Sequence, residues 1–239
     1  MMYKRVLLKL SGEALLGESS FGYDVDVVEA IVDEIEKLYN TGVELAIVIG
    51  GGNICRGKSL AGHGVGAATA DYMGMMATVM NGLYLQDVIK SRGIDTRVMT
   101  AIVINQVAEP FIRLKALKHM GKSRVVILAA GNGIPFSTTD TAAALKAREL
   151  ECDVIIKATK VDGIYDKDPN KYSDAVKYEK LTYTQALENN LEVMDMTAFT
   201  MCKESKIPII VCDILEQNNL ANIVEVGAME NCTIVVDAL

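Results

Sequence analysis

The chain has 239 residues, of which 50% are hydrophobic and 23% are charged. This composition is typical of globular proteins and excludes the disordered, collagen-like and disulfide-rich classes. The net charge of −7 disfavours nucleic acids and anionic membranes as partners. No apolar run reaches the ~18 residues of a membrane span, and the N-terminal segment lacks the cleavage site of a signal peptide, so we expect a cytoplasmic protein.

Length alone allows one or two domains. No Pro/Ser-rich linker, repeat or low-complexity tract interrupts the sequence, and we therefore expect residues 1–239 to form a single domain. The five cysteines are dispersed, odd in number and without a C-x-x-C motif. We expect them to be reduced thiols that mostly fill the core.

Short apolar strands alternate with helical patterns along the chain. In chain order, the pattern predicts the strand Val6–Leu10, the helix Asp26–Tyr39 capped by Asp24 or Asp26, the strand Leu45–Ile49, the helix Ala67–Ser91, the strands Arg97–Thr100 and Val125–Ala129, the helix Thr139–Leu150, the strand Val154–Ile156, the helices Tyr183–Glu188 and Thr197–Lys203, the strand Ile209–Cys212, a last helix and the strand Thr233–Val236. Such alternation predicts an α/β fold whose mostly parallel sheet is covered on both faces.

Three of the predicted strands end in glycine-bearing turns, at Gly12, Gly50–Gly52 and Gly131–Gly133. Ligands of parallel sheets bind beyond the carboxyl ends of the strands. Because glycine allows the backbone to approach phosphate oxygens closely, the three turns together predict a polyphosphate site. Ordinary strand-to-helix turns remain the alternative for any one of them. The most loop-like stretch, residues 162–174, is expected to carry function.

The segment Gly52–Ser59 satisfies the P-loop pattern G-x-x-x-x-G-K-[ST], and Ile209–Asp213 resembles a Walker B strand. A P-loop must open a helix at its lysine, because the helix N-terminus binds the phosphate. Here three further glycines follow, and the helical pattern resumes only near Ala67. We interpret the match as accidental, with a P-loop NTPase that uses Lys58 as an alternative function.

Long polar and glycine-rich motifs occur in order along the chain: Lys9–Leu15, Gly50–Asn53, Arg56–Gly57, Ala70–Asn81, Thr138–Ala143, Lys157–Tyr165, Asp168–Pro169 and Met194–Phe199. Together they resemble the bacterial uridylate kinases of the amino-acid-kinase superfamily, over essentially the whole chain. The resemblance implies a single α/β/α sandwich, unrelated to P-loop kinases, with a mostly parallel central sheet.

The resemblance also implies an activity and partners. Members transfer the γ-phosphoryl group of ATP to UMP in pyrimidine nucleotide biosynthesis, with Mg²⁺ carried on the ATP and no dense cluster of protein ligands. Family members are typically homohexamers inhibited by UTP. Many are activated by GTP through a segment that matches Gly17, Glu18, Ser19, Ser20, Phe21 and Gly22. A non-catalytic nucleotide sensor on the same fold is the second alternative function, and an aspartate- or carbamate-phosphorylating relative on this fold is a lesser one.

Site residues are carried over from the motifs. The resemblance assigns Lys9 and Arg56 to catalysis. To the ATP side it assigns Lys9, Leu10, Ser11, Gly12, Gly52, Arg56, Thr159, Tyr165 and Asp168. To the UMP side it assigns Gly51, Asp71, Asn132, Gly133, Ile134, Pro135, Phe136, Ser137, Thr138 and Thr139. The residues Asn132, Ile134 and Ser137 depart from the family pattern, which has Thr, Asn and an aromatic residue there.

The chemistry of these residues fits phosphoryl transfer, which depends mainly on positioning and charge neutralisation. Lys9 lies in an apolar strand, where an idle lysine is rare, and can place an ammonium on the γ-phosphate. Arg56 offers a planar fork to phosphate. A nucleotide phosphate is largely dianionic at neutral pH and needs no general base.

Each of three acidic residues could be a helix cap or a functional side chain. Asp140 and Asp195 are predicted to cap helices, and the alternative is that they organise lysines or Mg²⁺. Asp71 could accept hydrogen bonds from ribose hydroxyls or hold Arg56, or it could also be a helix cap.

Tyr165 could stack near adenine. A stripe of methionines at helical spacing, Met73, Met76 and Met80, is predicted to lie in the core or in a subunit interface.

Overall fold

A computed structural model describes residues 2–55, 64–169, 171–191 and 193–238 of the chain. The strands are β1 Arg5–Leu10, β2 Glu44–Ile49, β3 Thr96–Thr100, β4 Glu109–Pro110, β5 Val125–Ala129, β6 Val154–Thr159, β7 Ile164–Tyr165, β8 Lys177–Tyr178, β9 Lys180–Thr182, β10 Ile209–Asp213 and β11 Cys232–Val236. The helices are α1 Val25–Asn40, α2 Ala67–Ser91, α3 Arg113–Met120, α4 Thr139–Glu149, α5 Tyr183–Glu188, α6 Met196–Ser205 and α7 Asn219–Val226.

Nine of the described strands form one sheet in the order β4-β3-β5-β2-β1-β6-β10-β11-β9. Its strand pairs are parallel except for β10 with β11. The first strand of the chain thus lies at the centre of the sheet, between β2 and β6. The strands β7 and β8 form a separate antiparallel hairpin. The predicted mostly parallel sheet is confirmed.

The central strands are apolar on both faces, and each face is covered by helices. On one face Leu8 packs in a cluster with residues of α1, α2 and α7, such as Ile31 and Leu85. On the other, Leu7 packs with residues of α3 to α6, such as Ala143 and Phe199. Because alternate residues of a strand point to opposite faces, continuous apolar strands require two covering layers. The predicted α/β/α sandwich is therefore confirmed.

The structure contains elements that the sequence pattern did not predict. The helix α3 is short and rich in basic residues, so its apolar period is weak. The strands β4, β7 and β8 have two residues each, and β9 has three, which are too few to show an alternation. Four of the five cysteines are buried and Cys55 is half-buried, as expected for reduced core thiols. The described helices include none long and apolar enough to cross a membrane.

Candidate active site

A largely buried cluster of three charged side chains lies at the carboxyl ends of β1 and β6. Lys9 and Lys157 are paired in register on these two strands. Asp140, in the first turn of α4, lies between them, with 2.7 Å from Lys9 Nζ to its Oδ1 and 3.1 Å from Lys157 Nζ to its Oδ2. Lys157 Nζ also donates to the carbonyl of Val193 at 2.5 Å. Two ammonium groups and one carboxylate give the cluster a net charge of +1, which suits an anionic ligand.

The electrostatics of the cluster follow from burial and from the opposite charges. Burial disfavours ionisation of Asp140, but the ammonium groups of Lys9 and Lys157 outweigh it and hold the pKa of that carboxyl below its usual range. Burial lowers the pKa of Lys157, and the neighbouring Lys9 lowers it further, while Asp140 acts in the opposite direction. The carboxylate of Asp140 therefore stabilises the charged form of Lys157 beside the ammonium group of Lys9.

The prediction that Asp140 caps a helix is wrong. Thr138 is the N-cap of α4, and its hydroxyl accepts from Thr141 N at 3.0 Å. Asp140 is the second residue of α4, and its side chain is free to reach the lysines. The predicted cap at Asp195 is confirmed, because its carboxylate accepts from Ala198 N at 3.0 Å at the start of α6. Asp195 also accepts from the hydroxyls of Thr138 and Thr141, which ties α6 to α4.

The glycine turns after β1 and β2 are packed against each other. An added Cβ at Gly12 would lie 2.7 Å from Gly50 O and from Gly52 N, and one at Gly51 would lie 2.7 Å from Gly74 O. Only glycine allows these approaches, because real Cβ atoms do not come so close to backbone. The predicted convergence of these two turns is confirmed.

Two buried asparagines, neither of them predicted as a site residue, brace the turn after β2. Asn81 Nδ2 donates to Gly50 O and to Asn53 Oδ1, both at 2.7 Å. Asn53 Nδ2 donates in return to Asn81 Oδ1 at 3.1 Å, and to Gly22 O at 3.0 Å. The sequence signal that could have identified them is their place in the motifs Gly50–Asn53 and Ala70–Asn81. Their burial adds weight, because buried amides are rare.

A cavity of about 470 Å³ lies beside Lys157. It is lined by Lys157, Thr159, Val161, Gly163, Ile164, Tyr165, Asp166, Lys167, Asp168, Pro169, Asn189, Asn190, Leu191, Val193 and Val211. An adjoining cavity of about 420 Å³ shares Lys157 and Thr159 with it and adds Lys9 and Ser11. The structure therefore brings together five of the residues predicted for the ATP side. Leu10 and Gly12 are buried beneath them.

Tyr165 is fixed by its own loop. Its hydroxyl donates to Asp162 Oδ1 at 2.6 Å, and this hydrogen bond raises the pKa of Tyr165 to about 12. The ring stands in the wall of the 470 Å³ cavity.

A third cavity, of about 360 Å³, is lined by residues up to Thr139, the neighbour of Asp140 in the sequence. It is lined by Gly51, Gly52, Cys55, Ala70, Asp71, Gly74, Met75, Thr78, Gly131, Ser137, Thr138 and Thr139. It contains five of the residues predicted for the UMP side, and also Gly52, which was predicted for the ATP side. Asp140 directly follows Thr139, and Lys9 and Lys157 line the first two cavities, so the charged cluster is adjacent to all three.

The loop that follows β5 contributes Gly131 and Ser137 to the lining of the third cavity. Asp71 accepts from Phe136 N at 2.8 Å, and Asn132 Nδ2 donates to Ser137 Oγ at 2.8 Å. Asp71 lies inside α2, whose N-cap is Gly66, so the interpretation of Asp71 as a cap is wrong. The residues 132–136, although predicted for the UMP side, do not line this cavity.

The methionine stripe lies on the surface of α2. Met73, Met76 and Met80 are between 43% and 54% exposed, so the interpretation of the stripe as core is wrong and that of an interface stays a prediction. With Ser20 and Phe21 they line a fourth cavity, of about 600 Å³. Arg56 and Lys58, and with them half of the P-loop match, lie outside the described residues.

Comparison with known proteins agrees with this architecture. Residues 4–213 match the model of the amino acid kinase family. The chain is 52% identical over 236 residues to the uridylate kinase of Sulfurimonas denitrificans, covering 98% of this chain and 100% of that protein.

Solved structures of similar proteins have the same fold. The UMP kinase from Bacillus anthracis has a TM-score of 0.94 at 37% identity, covering 100% of this chain and 98% of that one. The UMP kinase from Ureaplasma parvum has a TM-score of 0.91 at 35% identity, covering 99% and 100%. The uridylate kinase from Archaeoglobus fulgidus has a TM-score of 0.72 at 28% identity, covering 97% and 100%. The chain therefore belongs to the amino acid kinase family and, within it, to the uridylate kinases.

Proposed function

We propose that this chain transfers the γ-phosphoryl group of ATP to UMP, giving ADP and UDP, as a step of pyrimidine nucleotide biosynthesis. The observation that carries the proposal is the charged cluster of Lys9, Asp140 and Lys157, which is adjacent to both sets of cavities. A donor nucleotide on one side and an acceptor nucleotide on the other would meet at this positive charge. The relatives named uridylate kinase support the choice of UMP as acceptor.

The proposed step forms a bond between a UMP phosphate oxygen and Pγ, and it breaks the bond from Pγ to the β–γ bridging oxygen. Catalysis of such a step depends on positioning and on neutralising charge at the transferred group. Lys9 and Lys157 donate that positive charge, and Asp140 holds both ammonium groups in place. The acceptor phosphate is largely a dianion at neutral pH, so no side chain has to remove a proton.

A Mg²⁺ ion carried with ATP would supply further charge neutralisation when it is bound. The described residues include no group of three or more His, Cys, Asp or Glu side chains that could hold a metal ion. Asp140, the acidic member of the cluster, already pairs with two lysines. This donor set fits an ion held mainly by the nucleotide phosphates.

We assign the two sides as follows. The ATP side comprises Lys9, Leu10, Ser11, Gly12, Gly52, Arg56, Thr159, Tyr165 and Asp168, and the shared lining of two adjoining cavities supports five of these. The UMP side comprises Gly51, Asp71 and Asn132–Thr139, and the third cavity supports the members that line it. We also assign Lys157 and Asp140 to the site, and we propose one domain over residues 1–239, located in the cytoplasm.

Regulation and assembly extend the proposal. UTP would inhibit by occupying the UMP side, and GTP would activate through the segment Gly17–Gly22. The chain would form a homo-oligomer, a hexamer by resemblance, and the exposed methionine stripe of α2 supports burial against another subunit. Ser20 and Phe21 line the same cavity as this stripe, which supports a link between the GTP segment and assembly.

The test is ADP release in a coupled assay with UMP, CMP, dTMP, aspartate or no acceptor. UMP should be preferred over every other acceptor by at least about tenfold in kcat/KM, which is ~1.4 kcal/mol of transition-state discrimination. Equal turnover of UMP and CMP would remove the uridylate assignment. ADP release without any acceptor would favour an NTPase, and nucleotide binding without turnover would favour a sensor.

A further inference from the structure

The hairpin of β7 and β8 forms part of the wall of the 470 Å³ cavity through its first strand, Ile164 and Tyr165, together with Gly163 just before it. It consists of two residues on each strand and lies outside the nine-stranded sheet. A two-stranded hairpin is at best marginally stable by itself. Something else must therefore hold this wall in place.

A single buried hydroxyl on β11 links both strands of the hairpin to the sheet. Thr233 is completely buried, and its Oγ1 accepts from Ile164 N of β7 at 2.8 Å. The same hydroxyl donates to the carbonyl of Tyr178 on β8. One hydroxyl can act as acceptor and donor at once, which a methyl group of similar size cannot.

The close fit of the hairpin against this hydroxyl adds to the link. A Cβ at Gly163 would lie 2.5 Å from Thr233 Oγ1, so the backbone of the cavity wall rests directly on the threonine. Just beyond the hairpin, Ile234 N donates to Glu179 O at 3.1 Å. The strand β11 thus fixes the position of the hairpin relative to the sheet.

A second link reaches Tyr165. Lys177 Nζ donates to the carbonyl of Glu230 at 3.0 Å and to Asp162 Oδ2 at 2.8 Å. The other oxygen of Asp162 accepts from the hydroxyl of Tyr165 at 2.6 Å. The segment before β11 is therefore connected to the aromatic ring of the wall through Lys177 and Asp162.

We propose that Thr233 is a positioning residue for the phosphoryl donor: through Ile164 and Tyr178 it holds the β7–β8 hairpin where the base and ribose of ATP bind. It does not itself line the cavity. The proposal rests on the assignment of ATP to this cavity, which belongs to the proposed function. It predicts a selective defect in donor binding, with the acceptor side unaffected, because the third cavity shares no lining residue with the 470 Å³ cavity.

The test compares Thr233→Val, which keeps the shape and removes the hydroxyl, with Thr233→Ser, which keeps the hydroxyl. We expect Thr233→Val to weaken the binding of a non-hydrolysable ATP analogue, measured by calorimetry, by about tenfold, the size of one or two lost buried hydrogen bonds. The KM for ATP should rise equally, while the KM for UMP changes less than about twofold. Thr233→Ser should restore both values.

Thr96→Val provides a matched control for stability. Thr96 is also a completely buried threonine of the sheet, and its hydroxyl donates to Ile94 O at 3.0 Å. It lies on β3, six strands away from β11 in the sheet. We expect a comparable loss of stability and no change in ATP binding. If Thr233→Val does not fold, Lys177→Met carries the test, because it removes the second link from a partly exposed position.

The proposal is overturned if ATP-analogue binding is unchanged in the folded variants, if Thr96→Val shows the same loss, or if wild-type protein does not bind the analogue. A wild-type protein that binds the analogue but forms no UDP would refute the proposed function alone. In that case the loss of analogue binding in Thr233→Val would still support the role of Thr233.

Discussion

Replacing Lys9 by methionine should separate activity from stability. The cluster has two ammonium groups and one carboxylate, so Lys9→Met leaves Asp140 and Lys157 as a neutral pair, 3.1 Å apart. No buried carboxylate is left without a partner, and the excess positive charge disappears. Since the burial of unbalanced charge is costly, we expect the free energy of unfolding to stay within about 1 kcal/mol of wild type, or to increase.

The rate should respond very differently. Lys9 supplies preorganised charge to the transferred group, and removal of one such donor typically costs about 10²–10³-fold in kcat, or ~3–4 kcal/mol. The change in KM should be smaller, because the interaction is made mainly in the transition state. The measurements are steady-state kinetics with ATP and UMP, and urea unfolding followed by circular dichroism.

Lys146→Met is the matched control. Lys146 is as buried as Lys9, at 6% against 9% exposed, and it also has a carboxylate at 2.7 Å, that of Glu149. It lies on the same helix as Asp140 but lines none of the described cavities. Its replacement should leave kcat within about twofold of wild type. The reasoning is refuted if Lys9→Met keeps more than a tenth of the activity, or if both variants lose activity equally.

Three further predictions concern the same structure. Asp140→Asn should destabilise the fold by about 3–5 kcal/mol in urea unfolding, because it leaves two buried ammonium groups without their carboxylate. The lowered pKa of Asp140 means that ionisation of this carboxyl stabilises the folded state. The stabilisation is complete above about pH 4 and should be lost as the pH falls through the pKa of the folded state. In an acid titration of stability, Asp140→Asn should not show this loss. Met76→Lys should reduce the molecular mass seen by light scattering, since a charge on the exposed stripe of α2 opposes burial against another subunit; an unchanged mass would place the interface elsewhere.

The sequence predicted the fold well where the pattern was strong. The apolar runs of β1, β2, β5 and β6 are long enough to distinguish buried strands from their surroundings. Lys9 was found for the same reason, as a charge within an apolar run. Lys157 stands in an equally apolar strand, and the same argument could have assigned it.

Other features needed three-dimensional information. The run from Thr138 to Asp140 offers three possible helix caps, and the sequence does not show which backbone is extended. The structure shows that it is Thr138, which frees Asp140 for the lysines. The contacts of Thr233 with the β7–β8 hairpin join residues 69 and 55 positions apart, and no local pattern indicates them.

The central position of β1 has a consequence for synthesis of the chain on the ribosome. Its edge toward β2 can pair early, but Val6 meets its β6 partner, Val154, only after about 150 further residues. At about 5–20 residues per second, this edge stays open for roughly 7–30 s. An apolar strand with an open edge is a template for pairing with other chains. Nascent chains that stall before β6 should therefore be the aggregation-prone species, and they should depend most on chaperones.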